Sequence, residues 1–452
     1  MEASGVSQFN KMTQKPVSSL VLSLAVPTII SMLVSALYNI ADTFFVSQIG
    51  TSASAAVGIV FSVMAIIQAV GFTLGMGCGS LISRMLGSRD PASASKYGST
   101  SFYTALFLGV LLAVSGIIFI KPLVYLLGAT DTIYPYAKDY IMFILLGSPV
   151  MCASYVLNNI LRSEGKAAFS MIGLTTGGFI NIALDPLFIF TLNMGTKGAA
   201  LATLISQCIS FSILLSFFLR GKSIVILSPL SVSKGLRDYY EIVKTGLPSF
   251  IRQGLGSAAA VFLNVGASAF GDASVAAVSI VARIIMFVAS IMIGLGQGFV
   301  PVSGYNYGAE QYGRVRKAFF FTMSLGTVFL SACSVCLFLA SPALIRIFRN
   351  DPDVISLGVS VLRFQCLALP LHAFVIASNM LMQSTGQAWK ATFLSSTRQG
   401  LFFIPLIIIL PSLFGNGGLK TAQLFADIAA FIVSLPFLIQ FLKKMGSKDA
   451  PM

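Results

Sequence analysis

The chain has 452 residues, of which 56% are hydrophobic and only 10% are charged. Soluble domains carry about 25% charged residues, so this composition excludes an ordinary soluble protein and predicts a polytopic membrane protein. The formal net charge of +14 does not indicate nucleic-acid binding, because the basic residues lie in short polar gaps between apolar runs and form no continuous basic face.

Long apolar segments recur along the whole chain. Each spans about 20–30 residues, which is enough to cross a bilayer as a helix. We therefore predict an all-α polytopic membrane protein whose twelve transmembrane helices occupy 18–47, 53–83, 95–120, 134–161, 167–191, 196–219, 238–269, 273–306, 314–341, 353–384, 388–413 and 418–442.

Lys and Arg are unevenly distributed between the two sides of this predicted membrane domain. With the amino terminus placed in the cytoplasm, 19 of the 29 basic residues fall in cytoplasmic segments, six fall in external segments and four lie inside helices. Positive residues favour the cytoplasmic side of a membrane. We therefore expect a multi-pass protein of the cell (cytoplasmic or inner) membrane with both termini in the cytoplasm.

An internal repeat divides the predicted helices into two halves. At a constant offset of 221 residues, Pro27 matches Pro248 and Asn158 matches Asn379, and glycines at 75, 87 and 165 match glycines at 296, 308 and 386. Because each half has an even number of helices, both halves enter the membrane from the same side and are parallel repeats. We predict a first lobe at 1–219, a cytoplasmic linker at 220–237 and a second lobe at 238–452.

Two parallel six-helix halves around a central cavity are an architecture of secondary transporters. A nucleotide-driven pump is not indicated: the stretch 221–223 resembles the end of a phosphate loop, but Ser216 stands where its leading glycine should be. The chain has a single histidine, His372, and no nucleophile motif. We therefore expect a transporter that is driven by an ion gradient, and neither an enzyme nor a cofactor-dependent protein.

Four stretches carry a resemblance to a known family. They are Tyr-Asn-Ile-Ala-Asp-Thr-Phe-Phe-Val at 38–46, Asn-Asn-Ile-Leu-Arg-Ser-Glu-Gly at 158–165, Asn-Ile-Ala-Leu-Asp-Pro at 181–186 and Gly-Leu-Pro at 246–248. Together they resemble the multidrug and toxic compound extrusion (MATE) transporters, over nearly the whole chain. The resemblance implies a V-shaped fold of two lobes and the export of organic, cationic or zwitterionic compounds in exchange for H⁺ or Na⁺.

Two other transporter classes share part of this pattern. A lipid-linked precursor flippase of the same superfamily remains an alternative, which two extra helices and a strongly basic central cavity would favour. A major facilitator transporter shares the helix count, but its Gly-x-x-x-Asp-Arg-x-Gly-Arg loop is missing from the stretch 84–90. We expect small organic molecules and membrane lipids as partners, no nucleic acid, and a monomer.

Two acids in the first lobe are candidates for binding the coupling ion, because carboxylates within membrane segments are costly and usually functional. Asp42 and Asp185 lie at similar depths by the rise of about 1.5 Å per helical residue. Asn181 shares a helical face with Asp185, and Thr203 reaches about the same depth. Two close carboxylates, an amide and a hydroxyl suit a proton or Na⁺. The alternative is that Asp42 is an interfacial residue and Asp185 a structural acid.

The resemblance adds that the DinF-like branch of the family has a cation site in its first lobe, which matches these four residues. No separate metal site is predicted, although Asp42 and Asp185 could hold Na⁺. Pro27 removes one backbone hydrogen bond and is a candidate hinge. Its repeat mate Pro248 is a proline, whereas the repeat mate of Asp42 is Leu263. We therefore place ion coupling in the first lobe only and expect protonation of Asp42 to bias a bend at Pro27.

The second lobe differs from the NorM-like branch, whose cation site the resemblance places at acids of the seventh transmembrane helix. The corresponding predicted span here, 238–269, has no acid within its apolar part, and Asp427 is the only deep acid of this lobe. We expect a structural ion pair between Asp427 and Arg363 rather than a transport role.

Candidate residues of the substrate cavity are Tyr38, Asn39, Asn158, Arg252, Gln253 and Arg283. Four arginines lie inside predicted helices: Arg252, Arg283, Arg363 and Arg398. Either some of them face the cytoplasmic half of the cavity, or the substrates include anionic and zwitterionic compounds.

Overall fold

In the computed structural model, residues 2–449 are described, with side chains described for residues 5–447, and no strand occurs among them. The count of 19 cytoplasmic basic residues given above includes Lys448, which lies outside the described side chains. The first half contains α1 (Glu2–Gln14), α2 (Val17–Ser47), α3 (Thr51–Gly87), α4 (Pro91–Ile118), α5 (Ile120–Leu126), α6 (Tyr134–Ser163), α7 (Ala167–Pro186) and α8 (Gly195–Leu219). The second half contains α9 (Leu236–Ser268), α10 (Asp272–Gly308), α11 (Tyr312–Phe348), α12 (Pro352–Ser384), α13 (Ala388–Ser396), α14 (Ile404–Phe414) and α15 (Asn416–Asp449).

Each of the twelve predicted spans corresponds to a helix or to helices joined without a loop. Eleven spans of the described chain are long and apolar enough to cross a membrane, counting 167–191 and 388–414 as one span each. The twelfth, α9, has 33 residues, but its first three turns carry several charges. The short helices α1 and α5 are not predicted from the sequence, because neither has an apolar run of membrane-spanning length.

Two spans change from α-helix to π-helix near a proline. After α7 the chain forms a π-helical turn at Leu187–Thr191, in which the amide of Leu192 donates to the carbonyl of Leu187 at 2.9 Å. Pro186 has no N–H group, so it cannot make the regular bond to the carbonyl of Ile182. A second π-helical segment, Thr397–Phe403, joins α13 to α14. Such segments are often found at functional sites.

The two halves pack against each other through repeat-related helices. Helix α2 packs on α10, while α9 packs on α3, and the 221-residue offset relates α2 to α9 and α3 to α10. These contacts lie toward the terminal face of the bundle, which we define as the end of the helices that holds α1. There Gly298 meets Ala25 of α2, and Gly246 meets Thr73 of α3. The helices separate toward the opposite face, which gives the bundle its V shape.

Close backbone contact at the terminal face depends on two repeat-related glycines. A Cβ atom on Gly87 would overlap the carbonyl of Tyr305, and one on Gly308 would overlap the carbonyl of Arg84. A larger residue at either position would therefore push the two halves apart. The repeat of this pair in both halves explains why the closure is symmetric.

Helix α1 and the segment between the halves also lie at the terminal face. The Gln8 amide donates to the carbonyl of Glu164 in the first half, and the Asn306 amide of the second half donates to the carbonyl of Met12. The segment between α8 and α9 folds back onto the first half, where its Ile224 and Val225 amides donate to the buried Glu164 carboxylate. The connecting segment is therefore anchored rather than loose.

Candidate functional site

The four predicted cation-binding residues come together where α2, α6, α7 and α8 meet. The Asn181 amide donates to Asp185 Oδ1 and to Thr203 Oγ1, at 3.3 Å in each case. Asp185, Asn181 and Thr203 are buried, and Asp42 is half-buried. Asn181 therefore links one acid to the hydroxyl, as a residue one helical turn before Asp185 can.

Tyr140 of α6 completes this cluster and was missed by sequence reasoning. Its hydroxyl donates to Asp42 Oδ2 at 3.3 Å, and its side chain is fully buried. It also interacts electrostatically with Asp185 and through a side-chain hydrogen bond with Thr203. The only sequence signal for it was depth: Tyr140 lies about as far from the start of α6 as Asp185 lies from the end of its span.

Three oxygen atoms of the cluster are buried and have no hydrogen-bond partner among the described residues: Asp42 Oδ1, Asp185 Oδ2 and Asn181 Oδ1. A buried polar atom without a partner costs about 1–3 kcal/mol. Two carboxylates and an amide oxygen are ligands that suit a hard cation, and either carboxylate can accept a proton. The cluster therefore has oxygen atoms free to accept a proton or to coordinate a cation.

A cavity of about 130 Å³ lies beside this cluster, between α2, α3, α6, α7 and α8. Asn181 and Thr203 belong to both the cluster and the cavity wall. Among the predicted cavity residues, Tyr38, Asn39 and Asn158 line it. A ligand in this cavity would therefore contact two residues of the acid cluster.

The other three predicted cavity residues do not line this space. Arg252, Gln253 and Arg283 are absent from its wall among the residues that the structure describes. Gln253 comes near, because its amide donates to Gln68 Oε1 at 3.3 Å and Gln68 does line the cavity. The reason is the V shape: α9 and α10 face the first lobe across the cleft and are not part of its interior.

The predicted pair between Asp427 and Arg363 is wrong. Asp427 Oδ1 accepts from Arg398 Nε at 2.7 Å, and Asp427 Oδ2 lies 2.8 Å from His372 Nε2. Arg363 is exposed, donates to Ser341 and stacks on a neighbouring aromatic ring. Both His372 and Arg363 lie on α12, but on opposite faces of it, and only the His372 face points toward Asp427.

Comparison with known proteins agrees with this geometry. The sequence model of the MatE family matches residues 27–187 and, a second time, residues 248–409. The chain belongs to the MATE family. The double match also confirms the internal repeat, since the two matches begin 221 residues apart.

Relatives of this MATE chain share its length as well as its fold. It is 28% identical over 412 residues to the multidrug export protein MepA of Staphylococcus saprophyticus, covering 91% of each chain. A crystal structure of a MATE protein in complex with MaL6 has a TM-score of 0.92, with 27% identity and coverage of 97% and 99%. An outward-facing multidrug resistance MATE transporter of the MOP superfamily has a TM-score of 0.91, with 26% identity and coverage of 97% and 98%.

These similarities confirm three predictions from the sequence. The resemblance to MATE transporters holds over nearly the whole chain, the fold is the all-helical V of two parallel repeats, and the chain is a multi-pass membrane protein. The protein is thus a member of a transporter family and not an enzyme.

Proposed function

We propose that this MATE protein exports organic, cationic or zwitterionic compounds from the cell in exchange for H⁺ or Na⁺. The observation that carries the proposal is the shared wall: Asn181 and Thr203 belong both to the acid cluster and to the cavity. Because a cation and a substrate would compete for or distort the same two side chains, binding of one disfavours the other. Antiport requires such a relation between its two ligands.

The direction of transport follows from a proposed orientation. We place the terminal face in the cytoplasm, as the excess of Lys and Arg in its segments favours. The halves touch at this face and diverge at the other, so the present conformation would be open to the outside.

The division into a first lobe at 1–219, a cytoplasmic linker at 220–237 and a second lobe at 238–452 belongs to the same proposal, with support from the two family matches at 27–187 and 248–409.

Pro27 is the proposed hinge of the first lobe. It lies within α2, on the same helix as Asp42, and α2 runs without interruption from Val17 to Ser47. A proline inside a membrane helix leaves one backbone hydrogen bond unmade and so lowers the cost of bending there. We propose that a proton on Asp42 shifts α2 between a straighter and a more bent form. Identical α2 geometry in structures determined at high and low pH would contradict this.

The test of the export function uses purified protein in liposomes that contain a fluorescent organic cation. Asp42→Asn and Asp185→Asn each remove one carboxylate at nearly constant volume, so each is expected to abolish gradient-driven efflux while the protein stays folded. Asp139→Asn is the matched control, because Asp139 precedes Tyr140 on α6 but is exposed. It should transport like the wild type.

Separate experiments with a pH gradient and a Na⁺ gradient distinguish the two coupling ions. If the wild-type protein shows no efflux with either the pH gradient or the Na⁺ gradient, the antiporter proposal is refuted. Undiminished efflux in both Asp42→Asn and Asp185→Asn would leave an antiporter but remove its site from the first lobe. The expected monomer stays a prediction that light scattering of the purified protein can check.

The flippase alternative receives no support from the fold. It would be favoured by two helices beyond twelve, and the described residues hold twelve spans. Most of the residues that line the cavity are polar and uncharged, and a single basic residue is among the described ones. We therefore keep multidrug export as the proposed function.

A further inference from the structure

Arg162 is a buried arginine without an acidic partner. It lies in the last turn of α6 and is only 4% exposed. Its guanidinium donates to Gln297 Oε1 and Asn159 Oδ1 and contacts the sulfur of Met76, so all of these partners are neutral. No carboxylate among the described side chains pairs with it.

Nearby charges do not compensate Arg162 either. Glu164, two residues away, is held by Lys166 and by the amides of the connecting segment. The carboxyl end of α6 contributes only the partial negative charge of a helix terminus. A desolvated guanidinium with neutral partners is costly, which indicates a use beyond packing.

The position of Arg162 suggests what that use is. It is the only charged residue of the cavity wall among the described residues. It lies at the end of α6 that belongs to the terminal face. Asn181 and Thr203 lie nearer the ends of α7 and α8 that point away from this face. The cavity therefore has a cation at one end and the Asp42–Asp185 cluster beyond the other.

We propose that Arg162 is a carboxylate-binding subsite, which selects substrates that carry a carboxylate at one end and an amine at the other. The carboxylate binds the guanidinium, and the amine is directed toward the acid cluster. This inference rests on the proposed export function and adds to it the residue that recognises the negative end of the substrate.

The length of the cavity suits the spacing of the two charged groups of such a molecule. Thr203 and Ser210 of α8 both line the cavity, and seven residues of helix correspond to about 10 Å. A drug-sized ligand needs a pocket of about 300 Å³ or more, which exceeds the volume seen here. The part of the ligand between its carboxylate and its amine would therefore occupy the cavity, from Arg162 toward the acid cluster, and the rest of the molecule would extend beyond it.

Gln297 connects this subsite to the closure of the two halves. It lies on α10 of the second half, and its amide oxygen accepts from Arg162 while the terminal face is closed. A carboxylate is a stronger, charge-assisted and bidentate partner for a guanidinium than an amide oxygen is. Separation of the halves at this face would release Arg162 from Gln297 and allow a substrate carboxylate to bind.

The test compares two dyes that differ at one group. Rhodamine 110 carries a free carboxylate, and rhodamine 123 is its methyl ester, a cation without the carboxylate. Binding of each to the purified full-length protein is measured by fluorescence polarisation. Arg162→Met should weaken rhodamine 110 binding tenfold or more and rhodamine 123 binding less than twofold. Arg162→Lys, which keeps the charge and loses the planar fork, should fall between wild type and Arg162→Met.

A second variant keeps the test decisive if Arg162→Met does not fold. Gln297→Glu leaves Arg162 in place but gives it an internal carboxylate, so it should selectively weaken rhodamine 110 in the same way. Arg363→Met, which removes an exposed arginine outside the cavity, should bind both dyes like wild type. Equal loss of both dyes in Gln297→Glu and Arg162→Met would overturn the inference, as would unchanged rhodamine 110 binding. In that case gradient-driven efflux of rhodamine 123 by the wild type would still support export.

Discussion

The cluster around Asp427 gives the sharpest test of a structural role in the second lobe. Its carboxylate is 2% exposed. It accepts from Arg398 Nε at 2.7 Å and from Gln423 Nε2 at 2.9 Å, and it pairs with His372 Nε2 at 2.8 Å. These partners come from the π-helical segment, α15 and α12, so a single carboxylate joins three elements of the lobe.

Asp427→Asn keeps the volume of this side chain but removes its charge. One of its two oxygens becomes an NH₂ group, which Arg398 cannot accept from and which His372 Nε2 can accept from only in the tautomer protonated at Nδ1. Arg398 is then left partly buried without a counter-ion. Removing one partner of a buried ion pair costs about 3–5 kcal/mol, and we expect a loss of unfolding free energy in this range.

A double-mutant cycle separates the ion pair from other effects. Arg398→Gln alone should also destabilise the protein, because it leaves Asp427 as an uncompensated buried charge. The double variant Asp427→Asn/Arg398→Gln should be more stable than the sum of the two single losses predicts, by a coupling energy of about 0.5–3 kcal/mol. Additive losses would show that the two side chains do not stabilise each other.

The assay is reversible unfolding in mixed detergent micelles, with the midpoint of thermal denaturation as a second measure. Arg363→Gln is the control, since Arg363 is exposed and donates to a single neutral hydroxyl; its loss should stay below about 1 kcal/mol. Folded Asp427→Asn protein should still transport. Wild-type stability of Asp427→Asn together with lost efflux would refute a structural role and indicate a transport role.

Two further predictions concern Tyr140 and Glu164. Tyr140→Phe removes the hydroxyl that donates to Asp42 and should lower proton-driven efflux severalfold, with a change in the free energy of unfolding of about 1 kcal/mol. Tyr136→Phe, at an exposed position one turn earlier, should transport normally. Equal efflux in both variants would exclude a coupling role for Tyr140. Glu164→Gln places an NH₂ group against the amide of Ile224 or Val225, so hydrogen exchange should rise at 222–228. Glu310→Gln, at an exposed residue, is its control, and unchanged exchange in Glu164→Gln would show that the carboxylate does not anchor the segment.

The sequence by itself determined the number and position of the twelve spans, their division into two repeats and the depth of each charged residue. These follow from one-dimensional quantities: the length of an apolar run against the thickness of a bilayer, the offset between matching residues, and the fixed rise of a helix. For this reason the depth of Asp42, Asn181, Asp185 and Thr203 in their helices is enough to group them.

Only the tertiary structure decided which residues at the same depth face each other. Arg363 and His372 are nine residues apart on α12, about two and a half turns, so they lie on opposite faces, and nothing in the sequence says which face meets Asp427. Tyr140 was missed for the same reason: the sequence indicates its depth in the membrane but not toward which neighbouring helix its side chain points. Contacts between elements far apart in the chain, such as Arg162 with Gln297, depend on how the two halves pack, and that packing decides which partners the charged residues have.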